Sequence, residues 1–188
     1  PAKDLKQNAI AHLCAYAGNF SELLFFRTQN VQWAERWYER NYKSASMTLE
    51  SDPKHSAYAY SFAGDAAKAL FDILKTKDIK QAISWAERLY EGYYKSASMT
   101  LESDPKHSAH AYSFAGNAAY DLYQLTKKAD WKKSAVDCYQ LFVDYFKKNP
   151  YRDIEKILSG IEERLAILNM KSDDTGFSNH PRIIRKSK

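Results

Sequence analysis

Residues 33–67 read WAERWYERNYKSASMTLESDPKHSAYAYSFAGDAA, and residues 85–119 read WAERLYEGYYKSASMTLESDPKHSAHAYSFAGNAA. The two stretches lie 52 positions apart and differ at 5 of 35 positions. A repeat this close means that the chain stacks copies of one unit instead of folding around a single centre. The period also halves. Asp52, Asp78, Asp104 and Asp130 are each 26 residues apart, and each stands where a helix is predicted to begin.

The helix starts are written in local chemistry. Asp52-Pro53 and Asp104-Pro105 place a side-chain acceptor before a proline whose missing N–H costs nothing in the first turn. Asn149-Pro150 offers the same pair at the last junction, Asp78 and Asp130 act as caps without proline, and Asn30 is an earlier cap. Helices are therefore predicted over 4–28, 31–51, 53–76, 79–102, 105–128, 131–148 and 150–170. The apolar spacing agrees: Ile83, Ala86, Leu89, Tyr93, Ala97 and Leu101 recur every three or four residues. No segment alternates as a strand would. Gly18, Gly64 and Gly116 recur inside helices, where glycine costs about 1 kcal/mol against alanine. Their repetition predicts close approach of a neighbouring helix.

The last helix carries Ile154, Ile157, Leu158, Ile161, Leu165 and Leu168 on one face and charged residues on the other, as expected of a cap on a stack. One helical domain over 1–170 is expected, with pairs at 4–51, 53–102 and 105–148 and a capping helix at 150–170. Residues 171–188 read as a flexible basic tail.

A pI near 9.0 invites a nucleic-acid reading, but the charge is unevenly placed. Residues 171–188 hold five basic and two acidic side chains, whereas residues 43–94 hold seven of each. The stack is close to neutral, so the global pI says little about a phosphate-binding surface. Cys14 and Cys138 stand alone on apolar faces and read as reduced core residues of a cytoplasmic protein. No apolar run reaches the roughly 18 residues of a membrane span, and no charged-then-apolar leader opens the sequence.

Sites for chemistry are not legible. There is no Gly-rich phosphate loop and no HExxH pair, and His55 and His107, one repeat apart in DPKHSA, read as surface residues of first turns. No spacing assembles a Ser/His/Asp triad. A non-catalytic chain without cofactor or metal is expected.

HAYSFAGNAAYDLY (110–123) resembles the first helix of a tetratricopeptide repeat, with Tyr112 at the aromatic position, Ala115-Gly116 at the Leu-Gly pair and Ala119 near the Tyr. DWKKSAVDCYQLFVDYFKKNP (130–150) resembles the second helix, with Ala135 and Tyr139 at the small and aromatic positions and a closing proline. The resemblance covers 53–150 well and 5–51 more loosely through Cys14-Ala15-Tyr16-Ala17-Gly18-Asn19. It departs in length, since that family repeats every 34 residues and each pair here takes 52.

The resemblance implies an all-α, right-handed stack of antiparallel helix pairs, about seven helices in all. It further implies a concave groove lined by the first helix of each pair and used for protein or peptide partners. Carried over, the groove positions are His12, Ala15, Asn19, Glu22 and Leu23, then Tyr58, Ser61, Asp65, Lys68 and Ala69, then His110, Ser113, Asn117, Tyr120 and Asp121. The family's clamp for a C-terminal carboxylate is not expected, because its lysine slots hold Ala15, Ser113 and Asp121. Tyr58/His110 and Asp65/Asn117 are the only differences between 42–67 and 94–119, and both fall on this face. Divergence there is read as a mark of the binding surface. The expected function is a scaffold for a peptide or protein segment. RNA binding by the tail and groove tyrosines, or self-assembly through repeat edges, are the alternatives.

Overall fold

The computed structural model describes residues 2–151 and 154–169, so the tail expected over 171–188 lies outside the described residues. These residues form seven helices and no strand: α1 (Ala2–Thr28), α2 (Val31–Thr48), α3 (Pro53–Leu74), α4 (Ile79–Thr100), α5 (Pro105–Thr126), α6 (Ala129–Lys148) and α7 (Glu155–Asn169). Extensive packing joins only helices consecutive in the chain. That is the signature of a stack, in which each element rests on its neighbours and no central core gathers them.

The starts are set by the caps the sequence carries. Asp52 and Asp104 accept from the backbone N–H of His55 and His107, both at 3.0 Å, and each is followed by proline in the first turn. Asp78 accepts from Lys80 and Gln81, and Asn30 from Gln32. Two expected starts are corrected. Lys128 is the cap residue of α6 and makes no side-chain bond, which leaves Asp130 inside the first turn. Asn149 ends α6 instead of opening α7: its backbone N–H and its side-chain amide both donate to Tyr145 O at 3.0 Å. The last helix begins at Glu155.

Glycines set how closely the pairs approach. A Cβ on Gly64 would sit 2.9 Å from the Tyr93 ring, and one on Gly116 would sit 2.6 Å from Tyr139. Gly92, one of the five substituted repeat positions, is packed most tightly against main chain. Its Cβ would meet Tyr60 O at 2.9 Å and Gly64 N at 3.2 Å, so α3 and α4 touch backbone to backbone. Between pairs, alanines do the same job: Ala45 and Ala59 are buried together, as are Ala63, Ala66, Ala111, Ala115 and Ala118. Cys14 and Cys138 are free and buried, and burial pushes the Cys138 thiol up to about 12, so it stays protonated. No helix among the described residues is long and apolar enough to cross a membrane.

Candidate functional site

The residues expected to line a groove lie on α1, α3 and α5, and the structure divides them into separate groups. Glu22, Phe26, Asp65, Lys68, Ala69 and Asp72 border an open cleft of about 550 Å³ between α1 and α3. His110, Ser113, Phe114, Asn117 and Tyr120 border a second cleft, of about 640 Å³, whose other wall is α7 through Lys156, Ile157, Ile161 and Arg164. Asp121 lies between them, in a small cavity shared with Lys68, Tyr93 and Asn117. His12 and Asn19 are exposed on α1, and the His12 ring lies 4.2 Å from that of His55.

Several of these side chains are committed to internal partners. Tyr93 donates its hydroxyl to Asp65, and burial raises the Asp65 carboxyl above the ordinary carboxylate value despite that bond. In the next pair, Tyr139 donates to Asn117 Oδ1 at 2.8 Å, and Arg164 of α7 donates to the same oxygen. Burial pushes Tyr139 up to about 12 and raises Asp121, while the Arg164 charge pulls both back. Arg164 also lies over the Tyr120 ring, 5.5 Å from its centre. Tyr58 donates to Asp104 Oδ2 at 3.2 Å and lies against His107, whereas His110 meets Tyr151 and the Phe146 ring.

The divergence at these positions therefore has a packing reason. Tyr58 faces the start of another repeat helix, and its copy His110 faces the segment leading to α7. Asp65 accepts from Tyr93, and its copy Asn117 accepts from both Tyr139 and Arg164. Lys68 is exposed and pairs with Asp72 at 2.5 Å. Of the groove residues, His12, Asn19, Leu23 and Lys68 are exposed, Ser113 is buried and the others are half-buried.

The structure also overturns the surface reading of His55 and His107. His55 Nε2 lies 2.8 Å from Ser44 Oγ, and Ser44 donates to Ala11 O at 2.8 Å. His107 Nε2 lies 2.9 Å from Ser96 Oγ, and Ser61 donates to Ser96 at 2.7 Å. Ser56 and Ser108 complete the joint by donating to Ala45 O and Ala97 O, both at 2.8 Å. KSAS and DPKHSA thus form one latch across each turn, and burial lowers both imidazoles below their ordinary value. The signal was in the sequence: both halves of the latch are copied together.

No family model, curated protein or solved structure matches the chain. Among the described residues no group of three or more His, Cys, Asp or Glu side chains converges as a metal site would.

Proposed function

We propose that the chain is a tetratricopeptide-like, right-handed helical stack that binds a peptide or protein segment along the faces of α1, α3 and α5, without catalysis. The carrying observation is the pair of open clefts beside these first helices. Each mixes apolar surface with charge: Phe26 with Glu22 and the Lys68–Asp72 pair in one, Phe114 and Ile157 with Lys156 and Glu163 in the other. Concave sites with apolar walls and a few polar groups suit an extended segment, whose side chains fill the clefts while the charges set its register.

The test is selection of displayed random peptides on the folded chain, followed by binding of the selected peptides at two salt concentrations. The double variant Lys68→Glu, Ile157→Glu changes two exposed groove residues and is expected to weaken binding at least tenfold without moving the melting temperature. Failure to select any peptide, or equal binding by the variant, refutes the reading. Tight binding to RNA with a steep salt dependence, lost with residues 171–188, would replace it with the nucleic-acid alternative.

A further inference from the structure

Among the described residues, the outer face of α1 has no partner. Gly18, Gly64 and Gly116 put the three first helices in one register, and against it Leu13, Ala17 and Phe20 of α1 match Ala59, Ala63 and Ala66 of α3 and Ala111, Ala115 and Ala118 of α5. The six alanines are buried at the joint with the preceding pair. Leu13 and Phe20 are instead 66% and 62% exposed. The position of Tyr16 tells the same story: it is 71% exposed, against 41% and 43% for its counterparts Phe62 and Phe114.

This face is built for something other than another pair of the same stack. Alanines let helix axes come close, and Leu and Phe hold them apart. A preceding pair docked as α2 docks on α3 would meet bulk where every internal joint has a methyl group. Yet the face is not a solvated one. Residues 7–21 contain no Asp, Glu, Lys or Arg, and a contiguous exposed apolar stripe such as Leu13, Tyr16 and Phe20 marks an interaction surface.

The exposed residues have their own order. Leu13, Tyr16, Phe20 and Leu23 are spaced three, four and three apart, the seam spacing of paired helices. They are also symmetric about the level of Gly18. Run antiparallel against itself, α1 brings Leu13 to Leu23 and Tyr16 to Phe20, with Ile10 and Phe26 at the edges. From these pairings we infer that two copies of this chain associate through α1, antiparallel, about a two-fold axis at Gly18.

A symmetric interface needs a self-complementary patch, and this one pairs apolar with apolar at each step and places no like charges opposite each other. Six large side chains offering roughly 100–150 Å² each give on the order of 700 Å² per copy, close to one side of a standard interface. The inference rests on Leu13, Tyr16 and Phe20, which do not border the α1–α3 cleft; Leu23 and Phe26, at one end of the stripe, lie on the groove side and are shared with the peptide-binding reading.

Sedimentation of the full chain at about 10 μM is expected to give a dimer, and Phe20→Glu a monomer that melts where the parent chain melts once diluted to its own monomeric range, since the residue is exposed within one copy. Mixing Leu13→Cys chains with Leu23→Cys chains and oxidising them is expected to give a cross-linked pair. Neither variant alone should do so, because residue 13 of one copy lies about 15 Å along the helix from residue 13 of the other. A monomer at every concentration overturns the inference, as does a dimer that survives Phe20→Glu. Cross-linking of Leu13→Cys with itself refutes the antiparallel arrangement. Loss of the dimer, or of hydrogen-exchange protection in α1, on removing residues 171–188 would assign the face to that segment instead.

Discussion

The half-buried histidines are the residues whose behaviour the structure predicts most directly. Burial lowers His55, His107 and His110 below the ordinary value of 6.5. Between the lowered folded values and 6.5 the unfolded chain binds more protons than the folded one, so stability must fall as pH drops. The melting temperature should be level above about pH 7 and decline steadily below 6.5. His55→Gln with His107→Gln should flatten that decline, and an unchanged slope would show that the latches do not titrate. Glycines supply a contrasting pair. Gly92→Ala pushes a methyl group into main chain that cannot move aside, and should cost about 1–3 kcal/mol. Gly160→Ala meets nothing within 4 Å and should stabilise α7 by up to about 1 kcal/mol. Chemical denaturation of the two variants measures both, and equal effects would remove the close-approach argument.

At the scale of elements, the sequence told most where the determinants are local. Asp52 and Asp104 reach backbone N–H groups three residues away, so the starts of α3 and α5 could be read from five or six letters. Asn149-Pro150 misled for the same reason: the dipeptide looks like a cap from outside, but the partner of Asn149 is Tyr145 behind it. The site was harder to read because its partners are distant. Arg164 reaches Asn117 from 47 residues away, and nothing near Asn117 announces it. A position open to solvent in one repeat is thus covered in another, and changing His110, Asn117, Tyr120 and Asp121 together should cost stability as well as binding. Helix α7 carries the corresponding prediction. Ile154, Ile161, Leu165 and Leu168 are buried on Tyr139, Phe142 and Phe146, and each such side chain contributes about 1.5–3 kcal/mol. A chain ending at Asn149 should aggregate or lose cooperative melting, as read by light scattering and calorimetry. A soluble, sharply melting truncation would show α7 to be dispensable.

For the molecule as a whole, packing between consecutive helices makes stability a sum of neighbour terms. The middle of such an array has two neighbours for every helix and the ends have one. Amide exchange should therefore be slowest in α3, α4 and α5 and faster in α7. Helix α1 reports on association: its exchange should slow as concentration rises, whereas that of α7 should not. Uniform protection across all seven helices would mean that the stack unfolds as one cooperative block.

The two latches give the architecture a modular property. The turn between α2 and α3 and the turn between α4 and α5 are closed by the same Ser–His contact, the same serine-to-carbonyl bond and the same Asp-Pro cap, so either joint accepts what the other accepts. A chain carrying residues 53–104 twice should splice in one further helix pair without a new kind of junction. It would also repeat the α3–α5 joint, with its small cavity lined by Lys68, Tyr93, Asn117 and Asp121. On the peptide-binding proposal the stack would act as a ruler whose length is written by copy number, and lengthened versions should lengthen the peptides they select by a fixed step.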